Sequence, residues 1–478
     1  MNCKWNLVAT LLLLCMLMLT AACGNGGDNG NDGDNGGDTR HEHTNDGEVV
    51  LRVASPPYHG NIMWDVERWM REYYAAQGIT FRMEVTNWVG VHERDAHITR
   101  LNTGFMAGET LYDVFALNGH QIYSYLERGV LADINEIIAR CPVSSRDDYF
   151  TNVLDALEIN GGLFTFPLHF LIHLVGINAG LPEDILNRFA QHSSIDVMEL
   201  MAIHQDLGSL HPEFGNLALS HSNVAWWSGS LHPVTELMDK MDEFVNISTR
   251  TSTINDGGFV DFMTNLQNSF DGIPFAMGFD MPSEMPPPPH GLYASQGVFT
   301  APSDNVMFAE ALLTLEAPYF THFIPLANNA GNVRFSNFGA FCITAQGNQD
   351  AAWHFLRLLE RRMSMDFASL GFIPINVAIF EETTPGLIYN FLNPNPRVSM
   401  LQPILPIAGG RECEYNRAAQ LDSAMERLRD YLNRPMVSRL FLPMELSHPA
   451  FEEFMAEIIS AHEAANQIHN RISLWLIE

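Results

Sequence analysis

The first 48 residues decide which part of this chain can fold as a domain. Lys4 supplies a positive flank, Leu7 to Thr20 form an almost unbroken apolar run, and small residues follow in Leu19-Thr20-Ala21-Ala22-Cys23. That order is the three-part pattern of a secretory signal peptide, and the run is short for a bilayer span, which takes about 20 apolar residues. The next 15 residues, Gly24 to Asp38, contain only Gly, Asn and Asp. With nothing apolar to bury, this stretch is expected to stay a hydrated, disordered tether. Residues 1–22 are therefore read as the leader and 23–48 as Cys23 plus the tether, so the folded part has to come from about residue 49 onward.

About 430 residues remain after the tether, enough for two or three domains. A hydrophobic content of 46% and an aromatic content of 10% can fill sizeable cores. The net charge of −30 repels nucleic acid and anionic lipid, which sets aside phosphate-backbone binding. Cys3 and Cys15 leave with the leader, and Cys141, Cys342 and Cys413 remain with no CxxC spacing. A disulfide between two of those three stays open, but the fold is not built on disulfides.

Val49 to Ala54 is short, apolar and β-prone, as a buried first strand should be. Ile62 to Gln77 places Val66, Trp69, Met70 and Tyr73 on one helical face, with Gly78 as terminator. Phe81 to Thr86 alternates like a half-buried strand, Ile98, Leu101 and Phe105 return to helical spacing, and Asp113 to Leu117 reads as a buried strand. Strands alternating with helices argue for an α/β domain with a largely parallel sheet. Pro282 and Pro286 to Pro289 mark a stiff loop. Asn348 is placed to N-cap a helix that turns Ala352, Trp353, Leu356 and Leu359 inward. A last helix over about Ala450 to Arg471 is expected to bury Phe454, Ile458, Ala465 and Ile468.

Two resemblances sharpen this reading. The leader with Cys23 resembles the lipobox of bacterial lipoproteins, which implies cleavage before Cys23 and lipid on its thiol and new amino terminus. Leu101 to Val114 looks like the helix, glycine turn and strand start of the extracellular solute-binding proteins of bacterial ABC importers, the sugar- and maltose-binding family 1 group. Glu127 to Ile134 is similar to that family's "G-x-L-x-D-L" segment, and Asn160 to Pro167 with Gly176-Ile177-Asn178 to the stretch where its chain first crosses between lobes. Asp350 to Leu356 resembles its "A-W-x-F-L" helix, Gly371 to Asn376 its "G-x-x-P" return, and Ala464 to Ile472 its closing helix. Gly162, Ile177, Tyr112 and the segment Ser194 to Glu199 depart from the family pattern.

The resemblance implies a type II periplasmic-binding-protein-like α/β fold with two discontinuous lobes around a ligand cleft. Lobe I takes 49–168 plus 338–372, and lobe II takes 172–335 plus 376–478. The implied function is a lipid-anchored receptor on the extracellular face that delivers a carbohydrate to ABC permease subunits, acting as a monomer without catalysis or cofactor. The alternatives are a receptor for a peptide or other small solute, and a surface lipoprotein that hydrolyses glycans.

Sugars present hydroxyls at ring edges and apolar C–H faces, so aromatic platforms and polar side chains near the expected cleft are the ligand candidates. These are Tyr58, Trp88, Trp226, Trp227 and Tyr319, with Asn118, His169, Asp280, Glu316 and Arg334. Core packing is the ordinary fate of any one aromatic, but the adjacent Trp226 and Trp227 of an extended chain cannot both enter one core. His169 and His173 sit four apart, a metal-ligand spacing on a helix, yet Phe170, Leu171, Ile172 and Leu174 around them read as a strand. His41-Glu42-His43 falls in the tether, and the segment His92 to His97 is neither HExxH nor its inverse. No nucleophile elbow, P-loop or dinucleotide fingerprint is present.

Overall fold

The structure, a computed structural model, describes residues 44–45, 47–56, 61–87, 90–116, 122–178, 181–211, 240–247, 249–269, 298–301, 320–367, 372–392, 417–438 and 446–477. The leader and Cys23 lie outside them.

The described chain opens as an α/β alternation: β1 (Glu48–Ser55), α1 (Ile62–Ala75), β2 (Thr80–Asn87), α2 (Gly90–Met106), β3 (Val114–Ala116) and the short α3 (Ile122–Glu127). β1 pairs parallel with β2, from Glu48↔Thr80 to Ser55↔Asn87, and parallel with β3 on its other side. Val49, Leu51 and Val53 bury one face of β1, Val50 and Arg52 between them are only partly covered, and both faces are closed at the C-terminal end by Ala54 and Ser55. The inward stripe of α1 is Ile62, Val66, Met70 and Tyr74, one residue out of phase with the sequence reading at its C-terminal end. Tyr73 is 45% exposed, whereas Tyr74 stacks on Phe81 with ring centroids 5.1 Å apart. The spacing of four keeps one stripe facing the sheet, and Tyr73 falls outside it.

Two strands then carry the chain out of this sheet. β4 (Phe166–Ile172) and β5 (Leu174–Asn178) are separated by His173 alone. β6 (Ile195–Asp196) leads into α4 (Val197–Leu210), whose first turn Asp196 caps by accepting from the amides of Met198 and Glu199. Beyond α5 (Gly257–Ser269), β7 (Val298–Ala301) and β8 (Phe320–Ala327) pair antiparallel with β5 on its two edges. β8 turns into β9 (Val333–Ile343), which returns to the first sheet between β3 and β4, antiparallel to both.

Asn348 caps α6 (Gln349–Phe367), its side-chain oxygen accepting from the Ala351 amide at 3.1 Å, and Ala352, Trp353, Leu356 and Leu359 are buried as predicted. β10 (Ile373–Pro374) pairs with β4, followed by α7 (Val377–Leu392), α8 (Arg417–Leu432) and β11 (Met436–Ser438), which lies parallel to the start of β9. The predicted closing helix is two helices, α9 (His448–Met455) and α10 (Ala461–Ile477). The chain breaks between them where Glu457 takes a left-handed φ of 58°, and this leaves Ile458 71% exposed instead of buried.

Buried side chains form two separate apolar cores. The first holds Leu51, Phe115, Phe166, Phe341 and Trp353; the second holds Val175, Phe189, Phe259, Phe451 and Ile468. The changeover falls between Leu174 and Val175. Sequence grouped 376–478 with the second lobe, but α7 and α8 bury Phe380, Ile388, Ala424 and Leu428 in the first core. Pairing of β11 with β9 holds them there, as does the Asn152 amide, which donates to the carbonyls of Leu432 (2.7 Å) and Arg434 (2.6 Å). The second core regains the chain only at Ala450.

The margins of the two cores also meet outside the crossing strands. Tyr123 on α3 packs edge-on against Trp475 on α10, with centroids 5.8 Å apart at 86°, and one turn further along α3 Glu127 pairs with Arg250.

Candidate functional site at the strand crossing

His173 is the crossing point. Its amide donates to the Arg334 carbonyl (3.1 Å) and its carbonyl accepts from the Leu326 amide (2.8 Å), so one residue is stitched to both β9 and β8. Its ring Nε2 lies 2.8 Å from the Ser336 hydroxyl.

The register of β9 leaves a window beside this point. β3 ends at Ala116 opposite Phe341, and β11 covers Val333 to Phe335 on the same edge of β9. Between them, among the described residues, positions 336–340 have a strand partner on one edge only, namely β4. β3 runs antiparallel to β9, so its C-terminal end points toward the window, as does that of β1 beside it. Carboxyl ends of parallel strands are where α/β sheets present ligand-binding loops. Gly339 in the window holds φ +64°, and an added Cβ would meet Leu168 only at an ordinary 3.5 Å. The requirement for glycine there is therefore one of backbone conformation.

Asn337 stands opposite Phe170 in this ladder. Both atoms of its side-chain amide are buried and neither has a hydrogen-bond partner. Sequence reasoning passed over Asn337 and Ser336. The legible signal is two adjacent polar residues followed by an aromatic and a glycine in a strand that, Arg334 aside, is otherwise apolar.

Of the predicted ligand candidates, His169 and Arg334 are described. His169 is fully buried in β4, and Arg334 is 5% exposed at the start of β9. They lie four ladder positions apart, roughly 13 Å, so the fold does not bring them together. Arg334 reaches Glu243 at 3.4 Å and Asp242 at 3.8 Å, and its Nε donates to the Ala327 carbonyl at 3.4 Å. Buried Lys240 also donates to Glu243, at 2.8 Å, and to the Asn329 side-chain oxygen at 3.0 Å. This charge knot fastens the turn after β8 to residues 240–243. Tyr58, Trp88, Asn118, Trp226, Trp227, Asp280, Glu316 and Tyr319 lie outside the described residues, as does Cys413. Cys141 and Cys342 are free thiols.

Behind the crossing strands, α6 supplies a second set of polar groups. The Ser364 hydroxyl donates to the Glu360 carbonyl (2.8 Å), so it accepts from His169 Nε2 (3.0 Å). That assigns the proton to Nε2 and leaves Nδ1, which is buried without a partner, as the bare nitrogen. Burial pushes the His169 imidazole down to about 3, keeping it neutral. Burial also pushes the Glu360 carboxyl up to about 8, against the opposing hydrogen bond it accepts from the Asn376 amide at 2.7 Å. Among the described residues, no group of three His, Cys, Asp or Glu is placed to hold a metal ion, and no helix is long and apolar enough to cross a membrane. Around the crossing, the His173 imidazole and the Ser336 hydroxyl are bonded to each other, and the Asn337 amide is the polar side chain of β9 that is buried without a partner.

By sequence, neither a protein-family model nor a curated protein matches the chain. By structure the likeness is broad. The sugar-binding protein MalE from Xanthomonas citri aligns at TM-score 0.57 and 14% identity, covering 90% of this chain and 98% of that one. A family 1 extracellular solute-binding protein from Alicyclobacillus acidocaldarius aligns at TM-score 0.51 and 10% identity, covering 91% and 100%. An ABC substrate-binding protein from Listeria monocytogenes, solved with cycloalternan, aligns at TM-score 0.50 and 14% identity, covering 90% and 99%. The chain has the two-core α/β fold of type II periplasmic-binding proteins.

Proposed function

We propose that this chain is an extracellular solute-binding protein that captures a carbohydrate for an ABC importer and performs no chemistry on it. The observation that carries the reading is the crossing at His173. Two cores joined by strands that change sheets at one residue leave a cleft whose walls can close on a small ligand, and closure turns binding energy into a shape that a transporter can read. The fold shared with sugar-binding proteins supports the choice of ligand class.

In this reading the lobes follow the cores, except that Phe323 of β8 reaches into the first core. Lobe I is 49–174 with 333–438, and lobe II is 175–326 with 446–477, which moves the final boundary from residue 376 to the 438–446 connection. Cys23 carries lipid, the Gly/Asn/Asp segment is the tether, and ABC permease subunits are the partners. The aromatic candidates Tyr58, Trp88, Trp226, Trp227 and Tyr319 are the proposed stacking platforms.

Titration calorimetry against neutral oligosaccharides, with the products analysed afterwards, tests the reading. Saturable heat with intact sugar supports it, product formation moves the chain to the glycan hydrolases, and heat only with peptides moves it to another solute class. Replacement of Cys23 by Ala should release the protein from the membrane fraction or leave it unprocessed. Continued lipid-dependent membrane association of that variant would remove the anchor from the proposal.

A further inference from the structure

We infer that Asn337 is a ligand-anchoring residue whose side-chain amide hydrogen-bonds adjacent hydroxyls of a neutral, polyhydroxylated ligand at the strand crossing. The inference rests on the carbohydrate-binding reading above and assigns one residue within it.

Three observations converge on Asn337. The first is that both polar atoms of its side chain are buried without a partner. A buried amide left unpaired is costly, and folded proteins rarely keep one that nothing ever satisfies. The second is position. Asn337 lies in the stretch of β9 that, among the described residues, has a strand on one edge only, beside the window to which the carboxyl ends of β1 and β3 point. The third is its surroundings. Its ladder partner is Phe170, whose ring lies 6.1 Å from that of Phe335, and both rings are buried. Such an apolar setting supplies no partner from the fold and strengthens any hydrogen bond that forms there.

The chemistry of the amide selects the ligand class. A primary amide donates two hydrogen bonds and accepts through its oxygen, and each sugar hydroxyl can both donate and accept, so one amide can pair with two neighbouring hydroxyls. An anionic ligand fits poorly. The nearby cation, Arg334, already faces Glu243 and Asp242, and the chain carries a net charge of −30.

The test uses the full chain with Asn337→Ala and Asn337→Asp. The first readout is the melting temperature of the ligand-free protein, and the second is calorimetry with maltotriose, cellotriose and xylotriose. For Asn337→Ala we expect an unchanged or raised melting temperature, because an unpaired amide is removed, together with a loss of affinity of roughly tenfold or more. Asn337→Asp should lose affinity as well, since it keeps an acceptor and discards both donors. A marked fall in the melting temperature of Asn337→Ala overturns the inference, because the amide would then serve the fold. Equal binding by wild type and Asn337→Ala also overturns it while leaving the carbohydrate reading intact. A wild-type protein that binds none of the three sugars while the variant keeps its stability counts against the carbohydrate reading instead.

Discussion

Glu360→Gln should remove a loss of stability that the wild-type protein suffers above pH 6.5. Glu360 is 1% exposed on α6, and burial raises its carboxyl from 4.5 to about 8. Between those values the native state holds a proton that the unfolded chain has released, so stability falls as pH rises through the window. The histidines act in the opposite direction. Burial lowers His169 to about 3 and His354 to about 4, so below 6.5 the unfolded chain binds protons that the native state refuses, and stability rises with pH there. The two effects cross near pH 6.5, where stability should peak. From 6.5 to 8 only Glu360 of these groups acts, and at about 1.4 kcal/mol per unit the decline is about 2 kcal/mol. Gln has the same shape and can still accept from the Asn376 amide. The Glu360→Gln variant should therefore keep the rising limb and lose the falling one. Urea unfolding at a series of pH values reads this directly. Parallel wild-type and variant curves between pH 6.5 and 8 would falsify the assignment of the falling limb to Glu360.

Arg334→Ala should destabilise the protein by about 3 kcal/mol, because it breaks a buried charge knot and leaves Glu243 and Asp242 short of a cation. Full stability with lost ligand affinity would instead return Arg334 to the binding site. Gly339→Ala should cost about 1–2 kcal/mol from its left-handed backbone alone, since the new methyl group meets no close contact. A melting curve matching wild type would show that the strand can relax to a negative φ.

The parts of the fold that were legible in sequence are those set by local periodicity. The apolar run of β1, the Asn348 cap and the inward face of α6 each follow from a few neighbouring residues. The phase of α1 is not legible at Tyr73, because an aromatic side chain serves a core or a surface equally well, and the packing of Tyr74 on Phe81 decides it. The placement of α7 and α8 was not legible for a different reason. It depends on β11 pairing with β9 across about a hundred residues, and no local pattern encodes that. The site follows the same division. Aromatic platforms can be proposed from composition, whereas the isolation of the Asn337 amide emerges only once the register of β3, β4 and β9 is set.

Helix α3 has a thermodynamic consequence of its own. The strands at His173 are covalent and survive any rotation of one core against the other, but the contacts of Tyr123 with Trp475 and of Glu127 with Arg250 do not. Both sit on one face of a two-turn helix, so a separating motion breaks them together. The edge-on ring pair contributes about 1 kcal/mol, and the ion pair, about half exposed on both sides, adds less than about 1 kcal/mol and fades with salt. Parting the cores is thus an uphill step even with no solute between them. Its height is set partly by ionic strength, which gives the surrounding medium a say in how readily the empty protein opens.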